Sequence, residues 1–148
     1  MEGPLGAKLA HYVEQMRILA TTVSEAYERL VARLTAGEVG TFAPAVGDVL
    51  PEFLLPSDDG RLVHSAKVLS RSPTIISFNR GHWCPFCRME VAALAGAAAD
   101  VTQRGGQIIS ITPELAALNK KLRADANAPF MFLSDLDNAR VGARDAHR

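Results

Sequence analysis

The sequence contains little cysteine, little tryptophan and no surplus of charge. Two cysteines and one tryptophan occur in 148 residues, and all three lie in the string Trp83-Cys84-Pro85-Phe86-Cys87. Lysine and arginine together number 16, as do aspartate and glutamate. Because this balance gives no electrostatic attraction to phosphates or anionic lipids, we expect neither a nucleic acid nor a membrane as a partner.

The sequence also lacks long apolar segments. No run approaches the roughly eighteen apolar residues of a membrane-spanning helix, and the opening Met1-Glu2-Gly3-Pro4 lacks the basic and apolar segments of a secretory signal. These features predict a cytoplasmic protein. Since a lasting structural disulfide is disfavoured there, a close cysteine pair indicates redox catalysis or metal binding.

The N-terminal part of the chain has a helical pattern. Apolar residues recur every three or four positions from Leu5 to Leu34, which predicts one long amphipathic helix. Its apolar positions are close to a heptad, so it is expected either to pack on the rest of the chain or to pair with a second copy in a homodimer. Glycines and prolines between Gly37 and Pro51 then predict a connector. We therefore expect a helical extension and linker at 1–44 and a second domain at 45–148.

Strand and helix patterns alternate along that second domain. Alternation of this kind predicts an α/β fold with a parallel sheet and right-handed crossovers. In chain order the patterns predict a β-hairpin from 53–55 and 61–63, a short helix at 65–70, a strand at 74–78, a helix at 85–103, a strand at 107–111, a helix capped by Thr112, a strand at 130–133 and a further helix from 135 onward.

The cysteine pair falls where a predicted strand turns into a helix. Backbone N–H groups and the helix dipole stabilise an anion at a helix N-terminus, so a thiolate is favoured there. Cys84 and Cys87, three residues apart, are expected to share one face and to close a disulfide. Pro85 suits the first helical turn, and Trp83 is expected to shield the pair. Further positive charge would come from nearby side chains: Arg80, His82 and Arg88.

Other uses of a cysteine pair fit less well. A zinc site needs four ligands, whereas this chain has one cysteine pair and four scattered histidines. Covalent haem attachment requires a histidine after the second cysteine, and that residue is Arg88. Two buried cysteines in a core helix are the plain alternative, which the specific Trp-Cys-Pro-x-Cys string disfavours. We expect neither a metal nor a cofactor.

From Val46 onward the chain resembles the alkyl hydroperoxide reductase and thiol-specific antioxidant (AhpC/TSA, redoxin) family of peroxiredoxins. It is most similar to the peroxiredoxin-like branch that carries an Arg-Gly-x-Trp-Cys-Pro-x-Cys string. The matching segments are Val46-Gly47-Asp48, Pro51-Glu52-Phe53, Leu55-Pro56, Asp59-Gly60, the string from Phe78 to Cys87, and Leu133-Ser134-Asp135.

The resemblance implies a thioredoxin-like fold and reduction of hydrogen peroxide or organic hydroperoxides. A thiolate would become a sulfenic acid and be recycled through a disulfide by a thioredoxin-like or low-molecular-weight thiol. The family motif Pro-x-x-x-Thr-x-x-Cys places Arg80 at the proline, Cys84 at the threonine and Cys87 at the peroxidatic cysteine. The thioredoxin analogy instead makes Cys84 the attacking thiolate and Cys87 the resolving thiol. Both assignments stay open.

Two further functions follow from departures from the family pattern. Thioredoxin folds continue with a β-hairpin and a final helix that this chain is expected to lack as a C-terminally truncated form. That would leave an open sheet edge, to be covered by the N-terminal helix or a partner subunit.

The same cysteine pair would also suit a general thiol-disulfide oxidoreductase, and a truncated redoxin would suit a catalytically inactive binding or redox-sensing module.

Overall fold

The computed structural model describes residues 3–39 and 43–138. The chain divides into two compact units, residues 1–48 and 49–148. In the described part, no helix is long and apolar enough to cross a membrane.

The first unit is helical, but it contains two helices where the sequence predicted one. Helix α1 spans Leu5–Leu19 and helix α2 spans Thr21–Ala36. The helix is interrupted at Ala20, whose φ of −144° and ψ of 56° are not helical. Three successive β-branched residues, Thr21-Thr22-Val23, follow this break and have low helix propensity. The hydroxyl of Thr21 also donates to the carbonyl of Arg17, as side chains that compete with helical hydrogen bonds do.

The second unit contains two small sheets and three helices within residues 49–138. Its elements are β1 (Leu54–Pro56), β2 (Leu62–His64), α3 (Ser65–Leu69), β3 (Thr74–Phe78), α4 (Pro85–Gln103), β4 (Gln107–Thr112), α5 (Ala116–Asp125) and β5 (Met131–Ser134). Strands β1 and β2 form the predicted antiparallel hairpin. Strands β3, β4 and β5 form a parallel sheet in that order, so the predicted α/β architecture is confirmed.

Alternating residues of the parallel sheet face two apolar clusters. Ile108 of β4 and Phe132 of β5 lie in a cluster with Val91 of α4 and Leu122 of α5. The neighbouring residue Ile109 faces the opposite cluster. That second cluster is formed with side chains from the hairpin region, β4 and β5: Phe53, Leu55, Ile111 and Leu133. Helices α4 and α5 therefore pack against the same apolar cluster on one side of the sheet. This packing fixes the position of α4 relative to the end of β3.

Two predicted helix boundaries differ from the structure. Helix α5 begins at Ala116, and Thr112 does not cap it, since the Thr112 hydroxyl donates instead to the side chain of Asn119 at 2.6 Å. The helix expected from Asp135 is not seen at 135–138, which form a turn, and the rest of that prediction falls outside the described residues.

In the part of the chain that the structure describes, β3 is one edge strand of the parallel sheet. Within residues 43–138, β3 pairs only with β4, and Ile75 and Phe78 are exposed along it. On the far side of the sheet the hairpin turn covers β5, where the N–H of Asp58 donates to the carbonyl of Phe132 at 2.9 Å.

Candidate active site

The cysteine pair occupies the start of α4, directly after β3. Cys84 is the N-cap residue of α4, with extended backbone angles of −87° and 113°, and Pro85 opens the first turn as predicted. Asn79 continues the sheet bonding through its N–H to the carbonyl of Ile111 at 2.8 Å. The site therefore lies at the carboxyl end of the parallel strands, where α/β folds collect functional groups.

The sulfur of Cys84 accepts two hydrogen bonds. One comes from the backbone N–H of Cys87 at 3.3 Å, and the other comes from Nη2 of Arg80 at 3.2 Å. Burial, the largest effect, raises the pKa of the Cys84 thiol, because Cys84 is fully buried. The hydrogen bonds from Cys87 and from the Arg80 guanidinium outweigh burial, so the pKa of Cys84 lies below its ordinary value. This geometry favours a thiolate on Cys84.

Cys87 has the opposite character. Burial raises the pKa of its thiol, and so does the adjacent Cys84 sulfur, while the hydrogen bond from the backbone N–H of Arg80 at 3.3 Å only partly offsets them. The net pKa of Cys87 is raised, and both cysteines are free. The pair is therefore asymmetric, with the first sulfur favoured as thiolate and the second as thiol.

Of the other side chains that the sequence placed near the pair, Arg80 contacts it most directly. The Arg80 guanidinium carbon lies 5.4 Å from the centroid of the Trp83 ring, so the same cation bonds the Cys84 sulfur and stacks on the indole. Trp83 itself is 64% exposed. Arg88 is exposed on α4, and its backbone N–H donates to the carbonyl of Cys84 at 3.0 Å. Its side chain makes no hydrogen bond or ion pair with other described residues.

A carboxylate that sequence analysis did not single out lies against the same loop. Glu114, in the β4–α5 connection, accepts a hydrogen bond of 2.6 Å from the backbone N–H of His82. Its carboxylate also packs on Gly81, where an added Cβ would overlap the carboxyl group. The imidazole Nε2 of His82 lies 2.9 Å from Oδ2 of Asp125 on α5. The sequence feature that could have indicated a role for Glu114 is its position just after β4, at the same end of the parallel strands as the cysteines.

A buried polar cluster also lies at this end of β3. The amide of Asn79 donates to the hydroxyls of Ser77 and Ser110, each at 2.9 Å. Ser77 in turn donates to Glu90 of α4 at 2.7 Å. Polar side chains therefore replace apolar packing beneath the first turns of α4.

Across 3–39 and 43–138, no three histidine, cysteine, aspartate or glutamate residues are grouped to hold an ion. The cysteine pair is instead surrounded by an arginine and by N–H donors, which stabilise negative charge on sulfur.

Comparisons with known proteins identify the fold and the family of this chain. The described fold matches a peroxidoxin, BcpB from Mycobacterium tuberculosis, with a TM-score of 0.60 and 20% identity over 63% of this chain and 60% of that one. It also matches a Chlorobium tepidum protein described as a thiol:disulfide interchange protein DsbE, with a TM-score of 0.55 and 23% identity over 64% of this chain and 65% of the other. The second unit thus has the thioredoxin-like fold that the sequence predicted.

Residues 46–147 match the model of the AhpC/TSA family, and the chain belongs to that family. It is 28% identical over 106 residues to the chloroplastic peroxiredoxin Q of Oryza sativa subsp. japonica. That match covers 72% of this chain and 46% of the relative, so the chain spans about half the length of the curated relatives it matches.

Proposed function

We propose that the protein is a thiol-dependent peroxidase that reduces hydrogen peroxide or organic hydroperoxides through Cys84 and Cys87. The observation that carries this proposal is the Cys84 sulfur, which accepts hydrogen bonds from Arg80 and from the start of α4 while its pKa is lowered. A stabilised thiolate at a helix N-terminus is a competent nucleophile toward an O–O bond. Membership of the AhpC/TSA family supports the same reaction.

In the first step, the Cys84 thiolate attacks one peroxide oxygen. A sulfur–oxygen bond forms, the O–O bond breaks, and the departing alkoxide or hydroxide takes a proton from solvent to leave as an alcohol or water. Cys84 is oxidised to a sulfenic acid. The Arg80 guanidinium, 3.2 Å from the sulfur, is placed to stabilise negative charge on the reacting oxygens.

In the second step, Cys87 resolves the sulfenic acid. Its sulfur attacks that of Cys84, a disulfide forms, and the sulfenic hydroxyl leaves as water with the Cys87 proton. Cys87 suits this role because its raised pKa keeps it protonated as a thiol before Cys84 is oxidised. A thioredoxin-like or low-molecular-weight thiol then supplies two electrons and two protons to restore both thiols. Because both cysteines lie at the first turn of α4, the disulfide joins two residues that are already close together.

The burial of Cys84 favours a small oxidant over a protein disulfide. Cys84 has no exposed surface, and the Arg80 guanidinium lies against its sulfur. A peroxide needs only a small displacement of this arginine to reach the sulfur, whereas a polypeptide disulfide needs a larger opening. A thiol-disulfide oxidoreductase is the second candidate, which the low pKa of the first sulfur in a Cys-x-x-Cys pair favours.

Parallel assays separate these functions. Peroxide consumption with a thiol donor, and insulin reduction in dithiothreitol, would be measured for the wild type, Cys84→Ser and Cys87→Ser. Peroxide consumption faster than by free cysteine, lost in Cys84→Ser, is the expected result. Insulin reduction without peroxide consumption would support the oxidoreductase instead. Inactivity in both assays would support a binding or redox-sensing module.

Assembly and location are further parts of the proposal. We expect a homodimer formed through the helical unit, because Ile18, Leu19 and Val23 are more than half exposed there and Ser24 is the only buried side chain of its described helices. Sedimentation of the wild type and a Leu19→Glu variant tests this, and a monomeric wild type would contradict it.

We expect a cytoplasmic location, since a reducing compartment keeps the pair in its reactive state. Cell fractionation is the corresponding measurement.

A further inference from the structure

The loop that carries the reactive cysteine is bonded to α4 and also to residues outside its own strand and helix. Residues 80–84 run from the end of β3 to the start of α4. Inside the loop, the N–H of Cys84 donates to the carbonyl of Gly81 at 3.1 Å, which closes a tight turn. The position of this turn decides where Arg80 and the Cys84 sulfur lie relative to each other.

Glu114 contacts the middle of this turn in two ways. Its Oε2 accepts the backbone N–H of His82 at 2.6 Å, a short bond of the charge-assisted kind. Its carboxyl group also packs directly on Gly81, whose φ of +124° and missing Cβ make that approach possible. Any other residue at position 81 would be strained and would displace the carboxylate.

Glu114 is itself anchored by buried polar groups. Its backbone N–H donates to the hydroxyl of Thr112 at 3.2 Å. That hydroxyl donates to Asn119, and the Asn119 amide donates to the carbonyl of Leu133 and the hydroxyl of Ser134. Asn119 and Thr112 are almost fully buried. The backbone of Glu114 is therefore held by a buried network that joins β4, α5 and β5. From this fixed backbone position the carboxylate reaches the loop.

A second carboxylate holds the side chain of His82. Asp125, at the end of α5, lies 2.9 Å from the imidazole Nε2, and Lys121 one turn earlier lies 3.1 Å from the same Asp125 oxygen. Since Lys121 pairs with Asp125 in the same helix, the carboxylate is itself held in place. The backbone and side chain of His82 are thus held by two carboxylates from one region of the fold.

We propose that Glu114 and Asp125 form a latch that fixes the 80–84 loop, and that Glu114 is a positioning residue for the Cys84 thiolate. The inference rests on the proposed function, in which Cys84 is the attacking sulfur. Without the Glu114 bond the turn can move, so the Arg80 guanidinium and the N–H of Cys87 no longer converge on the Cys84 sulfur. A misplacement of about 1 Å in such a site is enough to cost a large factor in rate.

The test is the pH profile of Cys84 alkylation by iodoacetamide in the full chain, with the modified residue located by mass spectrometry. Glu114→Ala is expected to raise the midpoint, and once the midpoint lies above pH 7 the rate at pH 7 falls about tenfold for each further unit of pKa. Glu114→Gln, whose amide oxygen accepts the same N–H, keeps the wild-type profile. Glu52→Ala, an exposed carboxylate in the same unit, is the matched control and leaves the profile unchanged.

The outcomes distinguish this latch from the proposed function. If wild-type Cys84 titrates as an ordinary thiol, the thiolate mechanism fails. If the wild-type midpoint is low and Glu114→Ala leaves it unchanged, the latch is overturned. Should Glu114→Ala not fold, as judged by circular dichroism, Asp125→Ala carries the test from a more exposed position. It is expected to raise the midpoint by a smaller amount, and an unchanged profile there overturns the latch.

Discussion

Nη2 of Arg80 donates to the sulfur of Cys84 at 3.2 Å, while the backbone N–H of the same arginine donates to the sulfur of Cys87 at 3.3 Å. One residue therefore contacts both sulfurs with different groups. The guanidinium carries the positive charge, so its contact favours a thiolate on Cys84, whereas the neutral N–H only partly offsets the effects that raise the pKa of Cys87. This difference contributes to the opposite pKa directions of the two thiols.

Replacing the charged side chain of Arg80 should slow the reaction at Cys84. Arg80→Gln removes the charged donor and leaves the backbone N–H to Cys87 in place, so the pKa of Cys84 should rise. At pH 7 the alkylation rate falls about tenfold for each unit by which the pKa rises above 7. Arg88→Gln, which changes an exposed arginine on α4, is the control. Equal rates in the wild type and Arg80→Gln would show that the guanidinium does not stabilise the thiolate.

The two thiols should titrate in different pH ranges. The lowered pKa of Cys84 means that its reactivity persists below about pH 8.5, the ordinary thiol value, and is lost as the pH falls through the Cys84 pKa. Cys87 should become reactive only above the ordinary value, since its pKa is raised. The alkylation rate of each cysteine, measured between about pH 4 and pH 10, the range in which thiols titrate, checks this prediction. A lower midpoint for Cys87 would reverse the assigned roles.

Trp83 should report on the redox state of the pair. It is the only tryptophan, and its ring stacks with the guanidinium that also bonds Cys84. Oxidation removes the thiolate, so the guanidinium shifts and the emission of Trp83 changes. Stopped-flow fluorescence with hydrogen peroxide should show this change in the wild type. Cys84→Ser should show no change. A change of the same size in that variant would show that the Trp83 emission does not depend on the Cys84 sulfur.

Asn119 should matter for stability more than its exposed neighbour on the same helix. Asn119→Ala leaves the Thr112 hydroxyl and the Leu133 carbonyl without the partner they have now, at a cost of about 1–3 kcal/mol in the free energy of unfolding. Lys120→Ala, on the exposed face, should change it little. Urea unfolding measures both. Equal midpoints would mean that the buried amide does not stabilise the fold.

Much of the second unit was predictable because its signals are local. The strand at 74–78 and the helix at 85–103 were predicted with their observed bounds, from a β-branched run and from an alanine-rich segment that begins with Pro85. The position of the cysteines at the start of that helix followed directly. Their separate protonation tendencies did not, because these depend on where Arg80 points and on how deeply each sulfur is buried.

The errors arose where tertiary contacts decide local structure. The hydroxyl of Thr112 suits a helix cap, but the buried Asn119 side chain binds it instead. A continuous apolar repeat predicted one N-terminal helix, although a single non-helical residue, Ala20, divides it. The contact of Glu114 with His82 joins residues 32 positions apart, so no sequence pattern announces it.

Trapping of the sulfenic acid tests the central claim most directly. The Cys87→Ser variant would be treated with hydrogen peroxide and dimedone, and the labelled cysteine would be located by mass spectrometry. If Cys84 is the attacking thiolate, the label appears on Cys84, and it forms faster than on free cysteine because of the lowered pKa. A label on Cys87 in the Cys84→Ser variant, with none on Cys84 in Cys87→Ser, would contradict the account.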